Sequence, residues 1–287
     1  VPLLDSGTIA RMIEQHRHAK NQLTLLSAFV QEPAGFGRIV RSSVGDFDEI
    51  VEHKDASEEL LRISEINAGV YAFDARTVRQ VLSRIDDSNS QHEKYLTDAA
   101  KLIKADAGRI EAIAVTDPEI VQGINDRVQL AEAQRYYNAR QIRHWQLEGV
   151  TVHDPATTVI EGNVSLGRDV ELLPGTQLRG ATSVADGAII GPDTTLVDCE
   201  VGEGAVVKRT DATLSVIGAG ASVGPWAYLR PNTLLGAGGK IGTFVETKNT
   251  QIGDGSKVPH LSYIGDTELG VNSNIGAGTI TANYDGV

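Results

Sequence analysis

The stretch IEGNVSLGRDVELLPGTQLRGATSVADGAIIGPDTTL, from Ile160 to Leu196, carries an aliphatic residue at every sixth position: Ile160, Leu166, Leu172, Leu178, Val184, Ile190 and Leu196. The period returns at Ile217, Val223, Leu229, Leu235 and Ile241, at Ile252, Val258 and Ile264, and at Leu269 and Ile275. A fixed period of six marks the hexapeptide repeats of a parallel β-helix, in which three units close one coil of about 18 residues. Inward aliphatics stack coil on coil, and glycine supplies turn conformations that a side chain disfavours. An unbroken run of hits at one period argues against a β-sandwich with loosely spaced strands. The break over 207–212 predicts a loop or a distorted coil. The repeat runs on without the polar cap that a solenoid end needs, so the chain is expected to be part of a longer protein.

Glycine divides the chain. Of its 30 glycines, 8 fall in residues 1–150 and 22 in 151–287, which sets a boundary near 150. The first half alternates helical and strand patterns. Helices are expected over 6–19 (Ser6 as N-cap), 75–85 and 96–105, and strands over 23–30, 38–40, 66–73 and 110–115. Such alternation predicts a mainly parallel sheet covered by helices. Residues 126–148 form one long helical pattern stopped by Gly149, read mainly as a solvated spacer. The fold class is therefore α/β plus all-β: residues 1–125, a linker helix over 126–149, and a parallel β-helix over 150–287.

A net charge of -12 excludes a general nucleic-acid coat but leaves room for a local basic pocket that takes a phosphorylated small molecule. No run of eighteen apolar residues spans a membrane, and the start lacks the pattern of a signal peptide. A single cysteine, Cys199, excludes an intramolecular disulfide framework and a Cys-based zinc cluster, and suits a reducing cytoplasm. Between 155 and 287 only one histidine occurs, His260, which disfavours a metal-dependent β-helix hydratase.

Several polar clusters interrupt the repeat: Tyr228-Leu229-Arg230-Pro231, Phe244-Val245-Glu246-Thr247-Lys248-Asn249, Pro259-His260-Leu261-Ser262-Tyr263, and the run from Ser273 to Gly286. The spacing places Arg230, Lys248 and His260 on successive coils. Two cations suit a phosphate dianion, and a histidine can act as a base near neutral pH. On spacing alone, a solvated rim with a satisfied histidine stands beside this reading at even weight.

With these clusters, the sequence resembles the bacterial bifunctional N-acetylglucosamine-1-phosphate uridylyltransferase/glucosamine-1-phosphate N-acetyltransferase family. The resemblance covers essentially the whole chain. It rests also on Gly35-Phe36-Gly37-Arg38-Ile39, Ile50-Val51-Glu52-His53-Lys54-Asp55-Ala56, Glu65-Ile66-Asn67-Ala68-Gly69-Val70, Tyr95-Leu96-Thr97-Asp98 and Gly123-Ile124-Asn125-Asp126-Arg127-Val128-Gln129-Leu130. It implies that 1–125 is the C-terminal part of a Rossmann-like nucleotidyltransferase domain and that the β-helix is left-handed. It also implies a cytoplasmic homotrimer that makes UDP-N-acetylglucosamine for peptidoglycan and the cell envelope. Acetyl-CoA would acetylate glucosamine-1-phosphate, and UTP would then uridylylate N-acetylglucosamine-1-phosphate.

The resemblance assigns Gly37, Glu52 and Asn67 to the sugar nucleotide, and Asn125 to the sugar nucleotide and a Mg²⁺ ion. The family's second Mg²⁺ ligand, an Asp, would precede Val1, and its Gly-rich phosphate loop is not in this sequence, so nucleotidyl transfer is expected to be lost from this stretch alone. In the β-helix, Arg230 and Lys248 map to the sugar phosphate, and Tyr263 and Asn274 to the sugar. His260 maps to the general base, and Ala277, Asn283 and Tyr284 to acetyl-CoA. Family members carry a further Lys and more coenzyme contacts after Tyr-Asp-Gly, beyond residue 287, so acetyl transfer is expected to need them. Phe36 stands where many members have Tyr, and Asn89-Ser90-Gln91-His92 replaces the more usual Asn-Ala-Gln. Two other classes remain: a monofunctional sugar-phosphate nucleotidyltransferase whose β-helix serves only oligomerisation, and a non-catalytic trimeric scaffold. The set Arg230, Lys248, His260, Tyr263 and Asn274 weighs against the first.

Overall fold

A computed structural model describes residues 2–281. The chain divides into two compact units, 1–133 and 134–287, and the division falls inside the long helix.

In the first unit, α1 (Ser6–Ala19) precedes β1 (Leu23–Phe29), β2 (Arg38–Arg41), β3 (Phe47–Val51), β4 (Glu65–Phe73), α2 (Ala75–Leu82), α3 (Asp98–Ala105) and β5 (Ile110–Ala114), with α4 (Arg127–Leu147) after them. The cap of α1 is Asp5, not Ser6: its carboxylate accepts the Thr8 N–H at 2.8 Å, which an aspartate one residue earlier does as well as a serine. The sheet runs β3-β2-β4-β1-β5. Only β1–β5 is parallel, whereas β1–β4, β2–β3 and β2–β4 are antiparallel, so the expectation of a mainly parallel sheet fails. The short connection from β2 to β3 accounts for one of these pairings, since it allows only a hairpin. Strand β1 is buried over six of its seven residues because apolar clusters cover both sheet faces: Leu23, Leu25 and Ile103 on one side, Leu26, Ile66 and Ile120 on the other.

The second unit is a parallel β-solenoid. Ile160, Leu178, Leu196, Ala212, Leu229, Thr247 and Ile264 are successive parallel partners and form one inward stack. The break expected over 207–212 is not a loop but the other alternative, a coil of altered length. Strands Val206–Val207 and Thr210–Thr213 pair regularly. The coil is two residues shorter, since Gln177 pairs with Thr195 but Thr195 with Asp211, and this shift hides the six-residue period. Glycine is not needed at every corner. Trp226, Phe244 and Leu261 adopt left-handed backbone, with φ of 55°, 58° and 30°. The corner stays in register because the Phe244 N–H donates to the Trp226 carbonyl at 2.9 Å.

Helix α4 is more than a spacer. Ile142 is buried in the solenoid core with Val150 and Val152, and Trp145 packs beside them. The Asn138 carboxamide donates to Thr158 O at 2.8 Å and accepts the Ile160 N–H at 3.0 Å, satisfying backbone groups at the first coil. The helix therefore covers the apolar start of the stack, the role of a solenoid cap. No helix among the described residues is long and apolar enough to cross a membrane.

Candidate functional site

Two groups of the expected residues are brought together, one in each unit.

In the solenoid, Arg230 follows strand Ala227–Leu229, and Lys248 ends strand Lys240–Lys248. Leu229 pairs with Thr247, and the Arg230 N–H donates to Thr247 O at 2.9 Å, so Arg230 and Lys248 are neighbouring rungs of one ladder. Alternation along a strand turns both away from the buried Leu229 and Thr247. The adjacent outward ladder is Tyr228, Glu246 and Tyr263. Each cation has an acid beside it: Arg230 lies 3.1 Å from Glu246, and Lys248 lies 3.4 Å from Asp266. Hydrogen bonding from Asn249 lowers the Asp266 carboxyl below the usual carboxylate range, helped by Lys248 and by the charge of Arg230. Such half-exposed pairs rearrange readily, so both cations remain available to an anionic ligand.

His260 lies three residues before Tyr263, across the corner made by Leu261, and pairs with Thr243 of the preceding coil. Its imidazole is exposed. The Gly278 N–H donates to Leu261 O at 2.8 Å, which sets Ala277 one coil on from His260. Asn274 belongs to a different ladder. It bridges Lys257, on the strand segment before the corner, so the solenoid alone does not bring it to Tyr263. Asn283 and Tyr284 lie outside the described residues. A groove of about 560 Å³ on the adjoining face is lined by Asn232, Asn249, Gln251, Asp266 and Glu268 and touches the cation pair only through Asp266.

In the first unit, the Asn67 N–H donates to Gly37 O at 2.9 Å. A Cβ at Gly37 would stand 3.4 Å from Glu52 Oε2, and Thr97 Oγ1 donates to Glu52 Oε1 at 2.8 Å. Gly37, Glu52 and Asn67 thus converge, with Thr97 fixing the carboxylate. A neighbouring cavity of about 590 Å³, lined by Phe29, Phe36, Ile66, Gly123 and Gln129, contains none of the three. Asn125 is not brought into this group: its N–H donates to Gln129 Oε1 at 2.7 Å at the start of α4. Its amide oxygen would offer at most one of the several oxygen ligands that a Mg²⁺ ion takes. Among the described residues, no three His, Cys, Asp or Glu side chains gather where they could share a metal ion.

Sequence reasoning passed over Glu246, Asp266 and Tyr71. Glu246 and Asp266 carry a readable signal, since they lie two residues before Lys248 and one coil after it. Tyr71 carries none, because what brings it to Asn67 is an irregularity of β4.

No family model matches the chain. The "Bifunctional protein GlmU" of Clavibacter sepedonicus is 59% identical over 287 residues, which are 100% of this chain and 58% of that protein. Its namesake in Leifsonia xyli subsp. xyli is 60% identical, with 100% of this chain and 59% of that protein covered. The Bifidobacterium longum (strain NCC 2705) protein of the same name is 49% identical, with 100% and 62% covered. Among solved structures, the acetyltransferase domain of PglB from Neisseria gonorrhoeae FA1090 in complex with acetyl coenzyme A covers 55% of this chain and 87% of its own. It does so at 17% identity and a TM-score of 0.34, too loose a match to bear on function. Over all 287 residues the chain is thus similar to the bifunctional GlmU proteins, and it spans about 58% of the length of the Clavibacter member.

Proposed function

We propose that this chain belongs to a bifunctional enzyme of UDP-N-acetylglucosamine synthesis. It would acetylate glucosamine-1-phosphate from acetyl-CoA through a left-handed β-helix, and uridylylate N-acetylglucosamine-1-phosphate from UTP through a Rossmann-like nucleotidyltransferase domain. The observation that carries this reading is the Arg230–Lys248 ladder, with His260 just across the Leu261 corner from Tyr263. Two cations on neighbouring rungs match a phosphate dianion. Tyr263, on the next ladder, offers a hydroxyl to the sugar.

In acetyl transfer, the 2-amino nitrogen of the sugar attacks the thioester carbonyl carbon. The C–N bond forms, the C–S bond breaks, and the thiolate of coenzyme A leaves. The amine must shed a proton, and His260 is the group that takes it. Asn274, on another ladder, reaches the sugar only if a second copy supplies it. The exposed corner column Trp226, Phe244 and Leu261 beside His260 supports such an assembly, a homotrimer with shared sites. Ala277, with Asn283 and Tyr284, would serve acetyl-CoA. Gly37, Glu52 and Asn67 would hold the sugar nucleotide.

The alternative is a nucleotidyltransferase whose solenoid only assembles subunits. Paired assays on one preparation of the full-length protein separate the two. His260→Ala should lower the acetyl-transfer kcat by about 10²–10⁴-fold and leave uridylyl transfer unchanged. Acetyl transfer absent from the unmodified protein would favour the alternative, and a near-normal kcat in the variant would remove His260 as the base.

A further inference from the structure

Strand β4 is irregular where it carries Asn67. Leu25 of β1 pairs with Tyr71 and Ser27 pairs with Asn67, so two steps on β1 face four on β4. The extra residues form a bulge around Gly69, whose φ is 71°. On a regular strand, positions four apart are separated by about 13 Å. Here the bulge shortens that path, and Asn67 Nδ2 donates to the Tyr71 hydroxyl at 2.6 Å. At the other end of the same carboxamide, Oδ1 accepts the Gly69 N–H at 3.1 Å. Bulges re-aim side chains in this way beside functional sites.

These two bonds decide which way the carboxamide faces. The Gly69 N–H is a donor and rejects the flipped amide, which would set donor against donor. The Tyr71 oxygen accepts from the NH₂ group in the one orientation left. Burial pushes the Tyr71 phenol pKa up, the hydrogen bond from Asn67 pulls against it, and the negative charge of Glu52 adds to the rise. The ring is anchored beside Phe73, with centroids 5.8 Å apart, against the core on that side of the sheet. A carboxamide has two donor hydrogens and two acceptor lone pairs. One of each is spent on Tyr71 and Gly69. The remaining N–H and lone pair suit a ligand hydroxyl, which both donates and accepts.

We propose that Tyr71 is a positioning residue: with the Gly69 N–H, it fixes the Asn67 carboxamide in the orientation that reads a sugar hydroxyl of the uridylyl-transfer substrate. This rests on the assignment of Asn67 to that substrate. Tyr71→Phe keeps the ring and removes only the acceptor. In the full-length protein it should raise KM for N-acetylglucosamine-1-phosphate by about 3–10-fold, the range of one hydrogen bond. Both kcat and KM for UTP should stay within about twofold, a split that a loss of fold would not produce. Asn67→Ala should raise the same KM at least as much, and the double variant should be no worse than Asn67→Ala. An unchanged KM in Tyr71→Phe, alongside a raised one in Asn67→Ala, overturns the role of Tyr71 and leaves the site standing. Additive losses in the double variant also overturn it, since Tyr71 would then act elsewhere. An unchanged KM in Asn67→Ala overturns the site assignment itself, and the role of Tyr71 with it.

Discussion

Lys248 is held between two tasks: its ammonium stands 3.4 Å from the Asp266 carboxylate, one coil on, while its place beside Arg230 leaves it able to meet an anion. Asp266 is in turn anchored by the Asn249 carboxamide at 2.8 Å. The acid therefore orients the cation without burying it, and both partners stay about 40% exposed.

Removing the cation should act on recognition more than on chemistry. Lys248→Ala is expected to raise KM for glucosamine-1-phosphate about tenfold or more, as loss of a charge-assisted bond implies, with kcat for acetyl transfer within about threefold. Because the site is half-exposed, the KM of the unmodified protein should also rise with salt. Steady-state kinetics at two ionic strengths reads both effects, and a KM indifferent to the substitution would remove Lys248 from the phosphate site.

The Asp266 carboxyl has a depressed pKa, first through Asn249 and then through Lys248 and Arg230. A depressed folded-state pKa contributes stability that is present above the unfolded value, 3.8, and is lost as pH falls through the folded one. Asp266→Asn should therefore melt below the unmodified protein at neutral pH, and the two melting curves should converge below about pH 3.8. A gap that persists unchanged at pH 2 would show that packing, not charge, is at work.

Gly242 leaves no room for a side chain, since a Cβ there would stand 1.8 Å from the Pro259 carbonyl oxygen on the next coil. Neither atom is at the end of a flexible group, so the coil spacing itself must yield. Gly242→Ala should cost about 1–3 kcal/mol or more, read as a lowered midpoint in denaturant. A midpoint equal to that of the parent would mean that the coils part without cost.

The solenoid cap should be separable from the site. Ile142 is 3% exposed and sits on the first coil. Ile142→Ala should cost about 2–5 kcal/mol through the cavity it leaves. The acetyl-transfer KM should not change at a temperature where the variant is folded. Equal stability of the two proteins would return α4 to the role of a solvated spacer.

The six-residue period was legible in the sequence because an inward position recurs wherever a coil closes, so Ile160, Leu178 and Leu196 mark the stack without any knowledge of contacts. The cations Arg230 and Lys248 were legible for the same reason, since a fixed coil length converts separation along the chain into adjacency in space. Where coil length changed, at the shortened coil before Ala212, that conversion failed and a regular strand looked like a break. The direction of the first-unit sheet, the capping by Ile142 and Asn138, and the contact of Tyr71 with Asn67 were decided only by the tertiary structure. Each depends on which surface a segment meets or on a local bulge in pairing, and neither leaves a period in the sequence for a reader to find.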